Sequence, residues 1–521
     1  MKSLRRNLPF MLLFLTVCFF AFSSNAKAAA PQRGGTIVYA APGSADKLDP
    51  TVTTDNMCEE VNFMIYDNLL RYTADLKIRG QLAEKWESSK DGLTWTFWLR
   101  KGVKFHDGTD LDAEAVKFNF DRWIGPEKPF RAYALFGPIV KSTEVVDRYT
   151  IRVHLTTPFS SFLPYICHPA GGIVSPMHFK KYGVDIARNP CGSGPFKFKE
   201  WVKGDHLTLV RNENYFDGAP YLDAIIIKPV AEEATRVMQV QTGQVHATTS
   251  VPSEMLPQLK NNPRVNVFSI PTNVSLYMVI NNQKKPFTDV RVRQAMNYAI
   301  DKQSIVKELF QGMADPMSSV NAPIVQGAFQ PPPYEYNPEK AKKLLAEAGF
   351  PNGFTCSQWT PSGRIVKDVE LSQLIQKYLG AIGIKTQLQT FEWTTFQTEN
   401  RQPPDKAKFD IYLMKWAPST GEARWQLYLA WTKKNWPMAG GNRALYSNPE
   451  FDKLVDQGTM ATSEELRDRY YKQAQTLLAE DAACIPICSP HRINVTSKKL
   501  HDFVFSPLEH ALATNKTWLE K

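Results

Sequence analysis

The sequence predicts an α/β protein of at least two domains. Three observations indicate this. Strand-like and helix-like segments alternate along much of the chain, and the alternation is most regular after Leu276. In addition, about 490 residues follow the first thirty, which is more than a single hydrophobic core accommodates.

The first thirty residues are predicted to be a secretory signal peptide rather than part of the fold. Basic residues precede an apolar run over positions 8–22, and small residues follow it, so that cleavage after Ala28 or Ala30 fits. A retained membrane anchor is the alternative, but the run is shorter than the roughly 20 residues that span a bilayer. Cys18 lies inside the run, so no lipoprotein is predicted, and a soluble periplasmic chain is expected.

The first half of the mature chain carries both strand and helix signals. Residues 93–99 alternate in polarity as a strand with one buried face would, and Asp112 is placed to cap a helix. Lys101-Gly102 is predicted to turn the chain into a return strand at Phe105. The other expected elements are strands over 36–40 and 149–155 and a helix-like segment over 59–70.

A glycine-rich segment, Cys191-Gly192-Ser193-Gly194-Pro195, precedes a predicted strand over 196–201. A phosphate-binding loop is one interpretation, but the usual lysine-serine or lysine-threonine ending and the following helix are both missing. A tight backbone turn is therefore the favoured interpretation. The chain then turns at Lys203-Gly204-Asp205 into a strand over 207–211.

The second half has the more regular α/β pattern. Asn337-Pro338 and Gly349 bracket a helix, with a capping residue, a proline in the first turn and a glycine beyond the end. Asp289 and Asp301 are placed to cap two further helices. Strands are predicted over 276–280, 354–359, 384–391, 409–416 and 485–488, with helical stretches over 369–379, 394–400 and 464–480. This spacing predicts a parallel or mixed sheet.

The charge and the cysteine content limit which partners and cofactors the sequence predicts. The formal net charge of +10 includes four basic residues of the leader. The basic residues of the mature chain are interspersed with acidic ones, so no nucleic-acid partner is expected. Six cysteines follow the leader, too few to be the main framework, and Cys167 with Cys191 is the preferred disulfide. Cys484 and Cys488 have the spacing of a metal pair, but no second pair lies nearby, so no metal or other cofactor is predicted.

No catalytic motif is present. The sequence contains neither a Gly-x-Ser-x-Gly elbow nor a His-Glu-x-x-His helix, and its nine histidines are dispersed. Carboxylate pairs are plentiful, but the sequence singles out none of them. No enzyme activity is therefore predicted.

The distribution of tryptophans is more informative. Six of the twelve fall between positions 359 and 436, and core packing accounts for some of them. The segment from Trp416 to Trp425 also carries several polar side chains, which gives the mixture of flat apolar walls and fixed polar groups that a ligand pocket needs. A binding role is favoured over a purely structural one for this segment.

Several motifs along the mature chain are specific in combination. The clearest is Asp91-Gly92-Leu93-Thr94-Trp95-Thr96-Phe97 with Leu99-Arg100-Lys101-Gly102-Val103-Lys104-Phe105-His106-Asp107-Gly108. Others are Gly192-Ser193-Gly194-Pro195-Phe196, Arg211-Asn212-Glu213-Asn214-Tyr215 and Asp289-Val290-Arg291-Val292-Arg293-Gln294-Ala295-Met296. Together they resemble family 5 extracellular solute-binding proteins, the peptide and nickel type that serves ATP-driven importers.

The resemblance implies a two-domain periplasmic binding protein of class II type, with an extra lobe in its first domain and hinge closure around a ligand. Domain I would place lobe a at 31–66, 191–272 and 486–521 and lobe b at 67–190, and domain II would span 273–485. The implied partners are a peptide-like small molecule and an inner-membrane ABC permease with cytoplasmic ATPases. The receptor is expected to be a monomer.

Within the family, Trp416-Ala417-Pro418-Ser419-Thr420-Gly421-Glu422 is most similar to the glutathione-binding branch. Dipeptide binders place an aspartate where Ser419 stands, so ordinary dipeptide recognition is not implied. Glu422 is the candidate partner of a ligand ammonium, and Arg424 or Arg364 of a ligand carboxylate. The branch relatives carry an acid in place of Arg424, which argues against assigning glutathione as the ligand from the resemblance alone.

The expected function is periplasmic capture of a short peptide or peptide-like solute of the dipeptide, oligopeptide or glutathione class. A receptor for a nickel chelate, haem or another non-peptide solute is the alternative within the binding class. A secreted hydrolase is the alternative of another class. The predicted ligand-binding residues are Trp359, Arg364, Trp416, Ser419, Thr420, Glu422, Arg424 and Trp425.

Overall fold

The computed structural model describes residues 30–126 and 128–521. The predicted signal peptide lies outside the described residues except for its last position, Ala30. Three main sheets organise the described chain, and two small two-stranded sheets lie near its C-terminus. Of the helices in these residues, none has the length and apolar character to cross a membrane.

The first main sheet has seven strands and mixed direction. The strand Thr36–Ala41 pairs in parallel with a neighbour on each side, while the outer pairings are antiparallel. In spatial order its strands are Val265–Ile270, Arg492–Ser497, Ala247–Thr249, Thr36–Ala41, Ala224–Pro229, His206–Arg211 and Phe196–Val202. The helices Asn56–Ile65, Glu233–Thr242 and Leu256–Lys260 belong to this region.

The second main sheet has four antiparallel strands, in the order Ala83–Ser88, Thr94–Leu99, Thr150–Leu155 and Val140–Asp147. A hairpin precedes it, formed by Leu70–Tyr72 and Ile78–Gly80. Asp112 caps the longest helix of this region by accepting a hydrogen bond from the backbone N–H of Ala115. The helices are Ala113–Ile124, Phe130–Phe136, Phe162–Ile166 and Pro176–Tyr182.

The third main sheet has six strands and is mixed, one of the two forms that the sequence predicts. Its first three pairings are antiparallel and its last two are parallel. The spatial order is Ala314–Pro316, Cys484–Pro490, Ser275–Ile280, Ile411–Trp416, Phe354–Pro361 and Ile384–Phe391. Its helices are Val290–Tyr298, Lys302–Ser304, Pro338–Glu347, Asp368–Ala381, Trp393–Glu399, Ala423–Trp431, Pro449–Thr459 and Glu464–Glu480.

Both faces of the six-stranded sheet are buried. Along the strand Ser275–Ile280, Leu276 and Met278 pack into one hydrophobic cluster, and Tyr277 and Val279 pack into another on the opposite face. The seven-stranded sheet likewise borders two clusters. Helices therefore cover these sheets on both sides, and the surface left for a ligand lies where the sheets meet.

The chain passes between the seven-stranded and six-stranded sheets twice, through residues 271–274 and through His491. We call these the crossover segments. Hydrogen bonds hold them side by side, because Thr272 Oγ1 donates to the carbonyl O of Pro490, the residue before His491, over 2.7 Å, and Ser489 Oγ donates to the carbonyl O of Thr272 over 3.0 Å. The six-stranded region is thus attached to the rest by two short, adjacent backbone segments.

The predicted return strand at Phe105 is wrong. Its predicted partner strand, Thr94–Leu99, is already paired on both edges, with Ala83–Ser88 and with Thr150–Leu155. The chain at Phe105 instead folds back on itself, since the Phe105 N–H donates to the carbonyl O of Thr109 over 2.9 Å. A return strand could not have joined Thr94–Leu99, because that strand has no free edge.

The predicted disulfide between Cys167 and Cys191 is also wrong, since all six described cysteines are free and buried. Gly192 and Gly194, which follow Cys191, support the interpretation of this segment as a backbone turn. A Cβ added to either glycine would come within 2.3–2.7 Å of the backbone of Ile65. The glycines are there because two backbones approach closely.

Candidate functional site

The segment singled out by its tryptophans connects a strand to a helix. The strand Ile411–Trp416 ends at the sheet edge, residues 417–422 form a loop, and the helix Ala423–Trp431 follows. We call residues 416–425 the binding loop. Gly421 has φ +67°, and a Cβ there would lie 3.2 Å from Leu508 Cδ2, so both backbone conformation and space require glycine.

The binding loop concentrates buried polar atoms that have no hydrogen-bond partner among the described residues. These are Trp416 Nε1, Ser419 Oγ, Thr420 Oγ1 and Glu422 Oε1. Buried polar atoms in proteins are nearly always paired, so each such atom requires an explanation. Four of them within seven residues indicate a place where a polar ligand would supply the missing partners.

Glu422 is the most unusual residue of this set because it is fully buried. Its Oε2 accepts a hydrogen bond of 2.9 Å from Ser161 Oγ, whereas Oε1 has no partner. Burial raises the pKa of the Glu422 carboxyl, against the opposing effect of the guanidinium groups of Arg467 and Arg424. A ligand ammonium beside Oε1 would favour the charged carboxylate.

Contacts with distant parts of the chain hold the binding loop. Tyr72 Oη donates to the carbonyl O of Thr420 over 2.7 Å, and Asn273 Nδ2 donates to the carbonyl O of Pro418 over 2.8 Å. Gln326 pairs with the loop through a backbone bridge to Glu422. The loop is therefore fixed from three regions that lie far apart in sequence.

Arg424, a predicted carboxylate partner, lies between side chains of two regions. Its Nε donates to Thr459 Oγ1 over 3.0 Å and its Nη1 donates to Tyr165 Oη over 3.1 Å. The guanidinium also lies 4.6 Å and 4.4 Å from the ring centroids of Phe159 and Tyr428. Neither Arg424 nor any other residue of the binding loop lines either of the two cavities described below, and the role of these residues towards a ligand stays a prediction.

Trp425 is half-buried and packs edge-on against Tyr165, with ring centroids 5.9 Å apart. Trp359 lies apart from the binding loop, since it is only 4% exposed and packs between Phe391 and Phe409. It lines neither cavity, and its position is that of a core residue. The structure thus brings six of the eight predicted residues together in the binding loop and places Trp359 and Arg364 elsewhere.

A cavity of about 480 Å³ lies beside the crossover segments, and we call it the crossover cavity. It is lined by Lys415, which precedes Trp416, and by Arg364. Two ion pairs cross its margin: Lys367 with Glu254, and Lys415 Nζ with Glu509 Oε2 at 3.5 Å. The acids of these pairs are therefore occupied.

Arg364 is the cation of the crossover cavity that stands without an ion pair among the described residues. The residue is exposed, and its guanidinium lies 5.3 Å from the ring centroid of Trp393. A guanidinium at the wall of a cavity, with its hydrogen-bond donors unused by carboxylates, is suited to bind a ligand carboxylate with two parallel hydrogen bonds.

A second cavity, of about 280 Å³, is lined by residues of the hairpin Leu70–Tyr72 and Ile78–Gly80, and we call it the hairpin cavity. Tyr72 and Leu508, the two side chains nearest to Gly421, are part of its wall. Arg71 and Arg79 also line it and lie opposite each other in the hairpin. In the described chain neither arginine has a carboxylate within 4.0 Å, so this cavity too offers positive charge.

Sequence reasoning missed the residues that face the binding loop from other regions, namely Tyr72, Ser161 and Tyr165, and the arginines of the hairpin cavity. None of them stands in a local motif, and Tyr72, Ser161 and Tyr165 are each more than 240 positions away from their partners in the loop. The sequence predicts no hairpin here, so the register that pairs Arg71 with Arg79 gave no signal either.

Comparison with known proteins places this geometry in context. The model of the bacterial extracellular solute-binding proteins, family 5 Middle, matches residues 77–438. The glutathione-binding protein GsiB of Salmonella paratyphi A is 35% identical over 473 residues, which cover 90% of this chain and 92% of that protein.

Two solved structures are similar over nearly all of the chain. HbpA2 from Haemophilus parasuis has a TM-score of 0.85 at 25% identity and covers 94% of this chain and 100% of its own. The periplasmic binding protein DppA from Helicobacter pylori, in complex with the peptide STSA, has a TM-score of 0.76 at 27% identity and covers 94% and 99%. The likeness therefore extends over nearly the whole of the described chain.

Proposed function

Since the chain belongs to the bacterial extracellular solute-binding proteins of family 5, we propose that it captures an anionic peptide-like solute of the glutathione class. The predicted family, α/β fold class and solute-binding role are confirmed by this membership. Proteins of this family serve ABC permeases, and the bound solute would be handed to such a permease in the inner membrane.

The observation that carries the proposal is that two cavities adjoin neighbours of the binding loop, Lys415 in one case and Tyr72 and Leu508 in the other, and that each cavity is lined by arginine without a carboxylate partner. The loop itself contributes the unpaired Glu422 Oε1. A γ-linked tripeptide such as glutathione has one ammonium and two carboxylates. Glu422 would bind the ammonium. Arg364 and the hairpin arginines are the candidate partners of the two carboxylates.

We further propose that the protein acts without chemistry, as a monomer exported with a leader cleaved after Ala28 or Ala30. Domain II, residues 273–485, would close against domain I about the crossover segments. The hydrogen bonds of Thr272 to Ser489 and Pro490 hold the two segments side by side and support this, because a motion confined to two adjacent backbone segments leaves both bodies intact. The ligand would favour the closed form because it contacts both bodies.

The test is calorimetric titration of the mature chain after unfolding and refolding to remove any ligand that purifies with it. The panel contains glutathione, its two mono-amides, a neutral tripeptide, a dipeptide, a nickel-histidine chelate and haem. We expect glutathione or a similarly charged peptide to bind most tightly, and each amide to bind more weakly. At about 100 times the dissociation constant, the ligand should add about 2.7 kcal/mol to the free energy of unfolding.

The variant Arg364→Gln tests the site. Loss of a charge-assisted bond of about 1.5–3 kcal/mol should weaken binding roughly 10- to 100-fold. Arg264→Gln is the matched control, because Arg264 is also exposed and without an ion pair in the described chain but lines neither cavity. Binding of haem or the nickel chelate alone, with no response to any peptide, would overturn the proposed ligand class.

A further inference from the structure

Three side chains of different ligand chemistry meet away from the binding loop. A carboxylate oxygen of Asp107, a ring nitrogen of His178 and Cys191 Sγ all lie within 4.8 Å of one another. Asp107 stands in the turn after the strand Thr94–Leu99, His178 on the helix Pro176–Tyr182, and Cys191 before the glycine-rich turn. None of the three lines the crossover cavity or the hairpin cavity.

Neighbouring groups fix the orientation of two of these side chains. His178 Nε2 lies 2.8 Å from the carbonyl O of Asn189, so Nε2 donates there and Nδ1 is the nitrogen that a neutral imidazole offers to an ion. Asp107 Oδ2 accepts a hydrogen bond of 2.5 Å from Ser175 Oγ, and Oδ1 accepts one from Thr109. Outer contacts of this kind orient the ligands of protein metal sites.

The three side chains of the cluster differ in their exposure to solvent. Cys191 is 3% exposed, His178 is half-buried and Asp107 is exposed. An ion would therefore enter past the carboxylate and reach a thiol that bulk solvent does not touch.

We propose that Asp107, His178 and Cys191 form a binding site for a borderline divalent transition-metal ion, with Zn²⁺ as the best match. Zn²⁺ accepts thiolate, imidazole and carboxylate together, usually at four-coordinate sites, and water would complete this one. Hard ions such as Ca²⁺ and Mg²⁺ prefer an all-oxygen site, so they do not fit a thiol and an imidazole. Tetrahedral ligands around Zn²⁺ stand about 3.5 Å apart, so the three atoms would approach one another by about 1 Å on binding.

The ion would join the turn at Asp107, the helix that carries His178 and the segment before Gly192. The next residue, Ser193, hydrogen-bonds to the buried Asp67 over 2.8 Å. A metal at this position would therefore brace the region where the four-stranded and seven-stranded sheets meet, and it would leave solute capture untouched.

The experiment titrates Co²⁺, an optical substitute for Zn²⁺, into the reduced, tag-free mature chain. We expect one Co²⁺ per chain, with a thiolate-to-cobalt charge-transfer band in the near ultraviolet that one equivalent of Zn²⁺ abolishes. We also expect Zn²⁺ to raise the temperature of unfolding. Absence of the band at excess Co²⁺ would overturn the proposal.

Two variants and one control locate the site. Cys191→Ala should remove the band, and His178→Gln should weaken Co²⁺ binding at least tenfold. Cys356→Ser is the control, since Cys356 is similarly buried and lies near a carboxylate, Asp410, but belongs to no such cluster in the described chain. The charge-transfer band of Co²⁺ in this variant should equal that of the wild type. A band that persists in Cys191→Ala contradicts the assignment, and if that variant fails to fold, the half-buried His178 position decides in its place.

Discussion

Two junctions of the molecule are built on opposite principles. Residues 65–68 and 191–194, which we call the inner junction, connect the seven-stranded and four-stranded sheets. There the fully buried Asp67 accepts hydrogen bonds from Gln81, Ser193 and Tyr215. The two glycines of the same segment lie against the backbone of Ile65 with no room for a side chain.

The outer junction, where the six-stranded region meets the other two, has a different composition. On the side of the binding loop, which we call its loop side, the contacts are single hydrogen bonds, such as those from Tyr72 to Thr420 and from Ser161 to Glu422. On the side of the crossover cavity the contacts are partly exposed ion pairs, of which Lys367 with Glu254 is one. These contacts surround two cavities rather than filling a core.

The difference teaches which part of the molecule moves. Buried backbone contact and a three-donor carboxylate allow no partial opening, because separation would leave the Asp67 carboxylate buried without partners. The single hydrogen bonds and partly exposed ion pairs of the outer junction are each worth about 1 kcal/mol and separate one at a time. We infer that the first two sheets move as one body and the six-stranded region moves against them.

The largest expected effect concerns Asp67 at the inner junction. Burial raises its pKa from the ordinary value of 3.8 to about 6. The folded state then holds a proton that the unfolded state has lost between these two values, so the free energy of unfolding falls as the pH rises through this window. The loss is about 3 kcal/mol. Chemical unfolding of the wild type and of Asp67→Asn at pH 4 and pH 7 measures it, since the variant lacks this titration.

Asp91→Asn is the control for this prediction. Asp91 is exposed, and hydrogen bonds from Ser89 and from the backbone of Leu93 lower its pKa, so its effect has the opposite sign and is small. A stability difference between the wild type and Asp67→Asn that stays constant from pH 4 to pH 7 would contradict a raised pKa at the inner junction.

The same contrast explains how much the sequence could predict. Asp112, Asp289 and Asn337 cap helices as expected, because a cap depends on residues two or three positions away. The six-stranded sheet follows from hydrophobic patterns of similar range. The prediction of a strand at Phe105 was wrong because a strand can pair only with an open edge. Whether the edge of Thr94–Leu99 is open is decided by residues about 50 positions away.

The candidate site was predictable only where it is contiguous. The binding loop stands out in the sequence because its aromatic and polar residues adjoin. Ser161 and Tyr165 could not be found in this way, since their role exists only once the four-stranded region packs on the loop. The position of Arg424, between Tyr165 and Thr459, depends on the same packing.

The next effect in size is expected at the loop side of the outer junction. Tyr72→Phe removes the hydrogen bond to the carbonyl O of Thr420 and keeps the ring. The closed form should lose about 1 kcal/mol, which raises the dissociation constant of the ligand about fivefold without a change at the inner junction. Tyr336→Phe, at an exposed tyrosine without a described hydrogen bond, should leave binding unchanged. An unaltered affinity in Tyr72→Phe would mean that this bond does not report closure.

The smallest effect is expected for the ion pair of Lys367 and Glu254 at the margin of the crossover cavity. Their side chains are 25% and 54% exposed, so solvent and salt screen the attraction. In a double-mutant cycle with Lys367→Gln and Glu254→Gln, ligand affinity should show a coupling below about 1 kcal/mol at low salt, and less at high salt.

The cycle also tests which state contains the pair. If Lys367 and Glu254 meet only when the cavity is closed, their coupling must appear in ligand affinity and be absent from the unfolding of the ligand-free protein. A coupling of equal size in both measurements would place the pair in the open form as well. The ion pairs would then hold the two bodies together at all times, and the outer junction would be as permanent as the inner one.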